Sequence, residues 1–156
     1  VCQLRPESRG YVRIRSRDAL QPPSMQPNYL DTDLDRRTNV AAVRAARAIA
    51  QSQAMAPYVK REVKPGPSAQ SDEELLEFCR NNGATIFHPS GTCRMGRDAM
   101  AVVDSRLRVH GVKGIRVVDC SVMPTLVSGN TNAPVVMMAE KAADMIREDA
   151  RQLAAA

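Results

Sequence analysis

The chain has 156 residues, of which 44% are hydrophobic, and its formal net charge at pH 7 is +5. This length suits one ordinary globular domain with a real core and is too short for a large two-domain enzyme. With no Trp, three Tyr and two Phe, the chain has few aromatic side chains on which bases could stack, so we expect no nucleic-acid partner.

The first predicted element is a strand in the arginine-rich segment GYVRIRSR, residues 10–17. Its arginines alternate with apolar or small residues, and a period of two places the two sets on opposite faces. A half-buried strand with a solvated basic face is the favoured interpretation, and a phosphate-binding ribbon is the alternative. The proline-rich connector that follows, residues 21–31, predicts an extended loop or edge segment.

Two helices are predicted next. Residues 31–55 begin with Asp and Thr residues that can cap a helix and continue with Ala, Val and Ile near helical spacing, which predicts about five turns. The second helix, in residues 71–83, begins with the capping-box pair Ser71 and Glu74 and ends at Gly83.

The C-terminal third contains two short β-rich pieces, residues 106–109 and 115–118, and a final helix. Pro134 suits the first turn of a helix, so the helix is predicted to begin between Asn132 and Pro134. The residues predicted to form its apolar stripe are Val135, Met138, Ala139, Ala142 and Ile146.

The motif IFHPSGTCRMG, residues 86–96, raises three possibilities: a metal site, a cysteine nucleophile with its histidine, or a loop that presents one imidazole. Zinc ligands usually come in close pairs, and His88 and Cys93 form only one loose pair, so we predict no metal site. A nucleophilic Cys93 lacks an evident orienting Asp or oxyanion donor. His88 suits a proton acceptor because the unperturbed pKa of imidazole is about 6.5. A structural loop histidine remains the alternative.

A second candidate is the segment SGNTNAP, residues 128–134. Gly129 permits a sharp bend, and Asn130 and Asn132 supply amides that both donate and accept hydrogen bonds. The helix that begins here directs unpaired N–H groups and partial positive charge outward. The pattern indicates either an anion-stabilising site or an asparagine-capped helix with nothing bound.

Three segments, residues 88–96, 102–124 and 128–146, together resemble the C-terminal signature of the glucose-methanol-choline (GMC) flavoprotein oxidoreductases, nearest to the choline dehydrogenase-like and aliphatic alcohol dehydrogenases. The resemblance implies an α+β fold. Residues 1–100 would be part of a substrate-binding domain, with an antiparallel sheet backed by helices. Residues 101–156 would be the C-terminal segment of the FAD-binding domain, with a terminal helix.

The same resemblance implies a role for each candidate residue. His88 would be the base that takes the hydroxyl proton of an alcohol as hydride moves to flavin N5, and Asn130 would hydrogen-bond the alcohol oxygen. Asp119 and Cys120 would contact the flavin through the backbone of a turn. Asn132, with the helix it opens, would face the pyrimidine edge of the isoalloxazine.

The implied activity is oxidation of a primary alcohol, choline-like or aliphatic, to an aldehyde, with FAD as cofactor and an external electron acceptor. No GxGxxG motif follows any predicted strand. We therefore expect a further partner, the N-terminal FAD-binding portion of the same enzyme, without which the fragment would be inactive. The alternative function is a stand-alone, non-enzymatic interaction module with a basic contact face.

The four cysteines, at positions 2, 79, 93 and 120, are widely spaced and form no CxxC pair. This spacing predicts reduced thiols in a cytoplasmic protein. A peripheral position at the inner membrane is the alternative that the sequence leaves open.

Overall fold

A computed structural model describes residues 1–155 and divides the chain into two compact units, Val1–Thr85 and Ile86–Ala156. Helices and a two-stranded antiparallel sheet place the fold in the predicted α+β class. The domain boundary predicted near residue 100 concerns a longer enzyme and stays a prediction. The units of this chain divide earlier, so all five predicted site residues lie in the second unit.

The sheet of the first unit pairs β1, Tyr11–Arg13, with β2, Ser24–Gln26. Four residues of the predicted strand, 14–17, lie beyond the end of β1. The prediction of a half-buried strand is wrong for this chain, because all three residues of β1 are exposed. β1 is shorter than the predicted strand because Pro23 and Pro27 flank its partner β2 and supply no backbone N–H donors. The proline-rich connector thus contributes the short edge segment that its composition predicts.

The helices of the first unit begin where the sequence predicts. Helix α1 spans Asp33–Ala50, and the side chain of its N-cap, Thr32, accepts a hydrogen bond from the backbone of Asp35. Helix α2 spans Asp72–Asn82 and begins with the predicted capping box of Ser71 and Glu74. The two helices pack together around three buried side chains, Val40, Val43 and Leu75.

Asp35 fastens the N-terminal segment to α1. The side chain is 2% exposed, and its carboxylate accepts hydrogen bonds from the backbone N–H groups of Glu7 (2.9 Å) and Ser8 (2.8 Å). Burial alone would raise the pKa of Asp35, but these bonds and one from the Ser8 side chain outweigh it and hold the pKa below its usual value. The charged form is therefore the one that the fold stabilises.

We expect Asp35→Asn to destabilise the first unit at neutral pH by about 1–3 kcal/mol, because an amide cannot replace the carboxylate in both bonds. The lowered pKa stabilises the fold fully above the unfolded-state value of about 3.9, and this contribution is lost as the pH falls through the folded-state pKa. The free energies of unfolding of wild type and variant, measured with urea, should therefore converge in acid. All three tyrosines lie in this unit, so tyrosine fluorescence reports its unfolding.

Asp33→Asn is the matched control for this experiment. Asp33 also lies in the first turn of α1, but its side chain is 84% exposed and pairs with Arg36 on the surface. Exposed ion pairs contribute little to stability. If Asp33→Asn and Asp35→Asn shift the unfolding midpoint equally at every pH, the buried carboxylate is not the anchor.

In the part of the chain that the structure describes, the second unit consists of turns, isolated bridges, a single turn of 3₁₀ helix at Cys120–Val122 and one long helix. The two predicted β-rich pieces, 106–109 and 115–118, form isolated bridges, such as Arg108 to Arg116, and no regular strand. Left-handed residues at Leu107 (φ 63°), Gly111 (75°) and Gly114 (78°) turn the chain too often for a continuous ladder.

Helix α3 spans Asn132–Ala154 and begins at the predicted position. The apolar core beside it contains Val103, Leu107, Val122 and Ala142. Met138 packs against this core, whereas Ile146 is 48% exposed, so the predicted stripe is only partly buried. Within residues 1–155, no helix combines the length and the apolar character that crossing a bilayer requires.

Candidate active site

The loop that follows His88 lies against the turn that contains Asp119 and Cys120. Three backbone N–H groups, at alternate positions of the loop, donate to three consecutive carbonyl oxygens of the turn. These bonds, the loop–turn ladder, join Gly91 to Cys120 (3.4 Å), Cys93 to Ser121 (2.9 Å) and Met95 to Val122 (2.9 Å). The ladder holds together two segments that are far apart in the sequence.

The backbone around His88 is tightly bent. Phe87 has φ 60° although it is not glycine, and Gly91 has φ 85°. Bulky residues rarely adopt this left-handed conformation, and such positions concentrate at functional sites. His88 itself is half-buried, which leaves its imidazole accessible to a small molecule.

The end of the loop is braced by an ion pair. The guanidinium of Arg94 contacts both carboxylate oxygens of Asp98, at 2.9 and 2.5 Å. This hydrogen-bonded arginine, with the backbone N–H of Met100, lowers the pKa of Asp98 to about 2. Asp98 therefore stays charged at any pH at which an enzyme would work.

The turn has its own internal bonds. The exposed carboxylate of Asp119 accepts a hydrogen bond from the Ser121 N–H (2.7 Å), and the Asp119 carbonyl accepts one from the Val122 N–H (3.2 Å). The half-buried Cys120 contributes its carbonyl oxygen to the ladder. Neither the ladder nor these bonds use the N–H groups of Asp119 and Cys120, and a ligand with acceptor atoms could take them.

The start of α3 differs from the asparagine cap considered from the sequence. The N-cap is Thr131, which is 6% exposed and makes no side-chain capping hydrogen bond. Asn130 and Asn132 on either side of it are exposed. The first N–H groups of α3 therefore keep their capacity to bind an electron-rich ligand, and the helix dipole favours one there.

A shared core brings the three site segments together. Met95 from the loop, Val122 from the turn and Met138 from α3 pack on the same apolar cluster. Met138 lies six residues beyond Asn132, about 9 Å along the helix axis. Within residues 1–155, no hydrogen bond joins the side chains of His88 and Asn130 directly. The core and the ladder connect their segments.

Two features of the site, the loop–turn ladder and the N-cap at Thr131, were not predicted from the sequence. The ladder consists of backbone bonds, and its only sequence signal is a glycine at position 91. The N-cap could have been found, because Thr is a preferred cap and Thr131 directly precedes the helix. In the part of the chain that the structure describes, no three His, Cys, Asp or Glu side chains are placed to hold a metal ion, and all four cysteines are free.

Comparison with known families gives a match over most of the chain. The C-terminal model of the family described as GMC oxidoreductase matches residues 6–139. The chain is 47% identical over 146 residues to an alcohol dehydrogenase [acceptor] of Pseudomonas putida. It is 50% identical over 147 residues to an oxygen-dependent choline dehydrogenase of Escherichia coli O127:H6. Each alignment covers 94% of this chain and 26% of the relative, so the chain spans about a quarter of their length.

Solved structures share the fold. Pyridoxine 4-oxidase from Mesorbium loti matches with a TM-score of 0.87 and 37% identity, over 93% of this chain and 28% of that one. An FAD-dependent oxidoreductase from Chaetomium thermophilum matches with a TM-score of 0.89 and 32% identity, over 96% of this chain and 26% of that one. The same fold is thus part of proteins more than three times as long.

Proposed function

Because the chain belongs to the GMC oxidoreductase family, we propose that it is the C-terminal catalytic portion of an FAD-dependent alcohol oxidoreductase. The longer enzyme would oxidise a primary alcohol, choline-like or aliphatic, to an aldehyde and pass the electrons to an external acceptor. The names of two relatives, an alcohol dehydrogenase [acceptor] and a choline dehydrogenase, support this reaction class. The loop–turn ladder carries the proposal, because it fixes the His88 loop against the turn proposed to contact the flavin.

The donor groups of the second unit fit FAD. The N–H groups of Asp119 and Cys120 and the start of α3 at Asn132 would hold the electron-rich edge of the isoalloxazine, since all of them offer hydrogen-bond donors or partial positive charge. Bound FAD would supply the hydride acceptor. Most of the dinucleotide would be held by the N-terminal FAD-binding portion of the enzyme, the partner that we propose for this chain.

His88 and Asn130 would divide the work on the substrate. The accessible imidazole of His88 would accept the hydroxyl proton of the alcohol. The exposed amide of Asn130 would donate a hydrogen bond to the alcohol oxygen and so hold the reacting carbon in one orientation.

Anaerobic mixing of the flavin-loaded, full-length enzyme with primary alcohols tests this function. We expect choline or a short aliphatic alcohol to bleach the absorbance of the oxidised flavin and to yield the aldehyde. A secondary alcohol of similar size serves as the comparison substrate. If no primary alcohol reduces the flavin, the proposed reaction is refuted.

We expect Asn130→Ala to slow flavin reduction about tenfold while the enzyme retains its flavin. One hydrogen bond to the substrate oxygen can be worth about 1.4 kcal/mol, which corresponds to a factor of about ten in rate. Asn81→Ala, which removes an exposed amide from α2, is the matched control. Rates are measured by stopped-flow absorbance, and the flavin content of each protein is measured in parallel. Full activity of Asn130→Ala would contradict the role in orienting the substrate.

A further inference from the structure

Three charged side chains attach the C-terminal half of α3 to the segments that lead to the turn. The carboxylate of Asp149, on α3, accepts hydrogen bonds from Nη2 of Arg106 (2.7 Å) and from Nη2 of Arg116. The Nε of Arg116 donates to the Arg106 carbonyl oxygen (3.2 Å), and Arg106 also donates to the Met145 carbonyl oxygen (3.0 Å). Arg106, Arg116 and Asp149, the α3 clamp, therefore form a closed set in which each residue bonds the other two.

The α3 clamp is partly shielded from solvent. The side chains of Asp149, Arg116 and Arg106 are 25%, 19% and 31% exposed, respectively. Desolvation would raise the pKa of Asp149, but hydrogen bonds and charge from the two arginines outweigh it and lower the pKa. Asp149 is therefore charged at neutral pH, and salt screens a partly buried ion pair less than a surface one.

The apolar core holds α3 near its middle. Of residues 132–154, which form α3, Ala142 alone is buried, and Met138 packs against the same core one turn earlier. Ala142 lies ten residues after Asn132 and seven before Asp149. At about 1.5 Å per residue, a tilt about Ala142 that moves Asp149 by about 1 Å moves Asn132 by about 1.4 Å in the opposite direction. A bond at Asp149 therefore restrains the position of Asn132.

The α3 clamp also connects α3 to the turn that contains Asp119. Arg116 lies three residues before Asp119 and forms an isolated bridge with Arg108. The loop–turn ladder holds the loop that follows His88 against this turn. The ladder thus joins the loop to the turn, and the clamp joins the segment before the turn to α3. Because His88 and Asn130 lie at opposite ends of this connection, their separation depends on both sets of bonds.

We propose that Asp149 is a positioning residue: through its two arginine partners it sets the orientation of α3, and hence the distance from the turn to Asn130 and to the first N–H groups of the helix. The proposal rests on the proposed function in one respect, namely that the start of α3 faces the flavin and the substrate. Asp149 lies seventeen residues from Asn132, about 25 Å along the helix axis, and is itself a proposed contact of neither.

Asp149→Asn in the full-length, flavin-loaded enzyme tests the proposal. The amide keeps the size of the side chain, but its nitrogen replaces one of the two oxygens that accept from the arginines. We expect the equilibrium constant for two-electron reduction of the flavin to fall about threefold, which lowers the reduction potential by about 14 mV, because the positive end of α3 moves away from the ring. The limiting rate of flavin reduction at saturating alcohol should fall about tenfold. Reductive titration against a reference dye measures the potential, and stopped-flow absorbance measures the rate.

Two controls distinguish this effect from a change of charge on α3 and from a general loss of stability. Asp144→Asn makes the same change on α3, at a side chain that is 64% exposed and pairs with Arg147 within the helix. Asp35→Asn is the variant expected to destabilise the first unit. We expect both controls to leave the reduction potential and the limiting rate unchanged. The proposal is overturned if Asp149→Asn leaves the reduction potential unchanged, or if either control lowers it equally.

Arg116→Lys provides a second test if Asp149→Asn does not fold or does not retain its flavin. Lysine keeps the positive charge but lacks the planar fork that bonds Asp149 and the Arg106 carbonyl oxygen at once. We expect the reduction potential to fall in the same direction, and an unchanged potential refutes the positioning role. The titration consumes no alcohol. A lowered potential in an enzyme that oxidises no primary alcohol therefore refutes the proposed reaction and leaves the positioning role intact.

Discussion

Replacement of His88 by Ala in the full-length enzyme is expected to lower the rate of flavin reduction by a primary alcohol about 10²- to 10⁴-fold. This is the usual contribution of a positioned general base. The half-buried position of the side chain and the constrained loop that carries it support this role, because a base must be both accessible and held in place. Stopped-flow absorbance under anaerobic conditions isolates the reductive step.

His110→Ala is the matched control for this variant. His110 is exposed, and its Nε2 lies 3.1 Å from the Gly96 carbonyl oxygen, so we assign it a structural contact and no chemistry. We expect the rate of flavin reduction in His110→Ala to stay within a few-fold of the wild-type rate. Added imidazole should partly restore reduction by His88→Ala and leave His110→Ala unaffected. An unchanged rate in His88→Ala would dismiss His88 as the base.

The helices were predictable because their signals are local. Thr32, Ser71 with Glu74, and Pro134 mark three helix starts within a few residues of each, and the structure confirms all three. Strands depend on partners distant in the sequence. The alternation in residues 10–17 predicts a half-buried strand, whereas β1 has only three residues, all of them exposed, and its length is limited by the prolines beside β2.

The same distinction applies to the site. Resemblance to a family selects His88, Asn130 and the turn at Asp119 one by one, and their proposed roles stay predictions. The physical connection between them is a set of backbone hydrogen bonds and a shared core. Backbone groups are the same in every residue, so no residue pattern reveals which carbonyl accepts which N–H. The one sign of the ladder in the sequence is the glycine at position 91, which adopts a positive φ in the structure.

This connection predicts that Gly91→Ala will slow flavin reduction about 10²-fold in the full-length enzyme. Gly91 has φ 85°, where an alanine costs about 1–2 kcal/mol. The added Cβ would also lie 3.4 Å from the Met123 carbonyl oxygen. That contact is an ordinary one, so the strain lies in the backbone, and its relief requires a change of φ at position 91 that would disturb the bond from Gly91 to Cys120. His88 is three residues away, and a displacement of about 1 Å can cost 10²-fold in rate.

Gly111→Ala is the control that distinguishes a change in the position of His88 from a general loss of stability. Gly111 has φ 75°, and an added Cβ would meet no atom within 4 Å. An alanine at position 111 should therefore cost about as much conformational free energy as an alanine at position 91. The loop that contains Gly111, however, takes no part in the ladder. We expect both variants to lower the unfolding midpoint by similar amounts and only Gly91→Ala to slow reduction. Equal rates of flavin reduction in the two variants would show that the ladder does not position His88. Strain at position 91 would then lower the stability of the unit without changing the reaction rate.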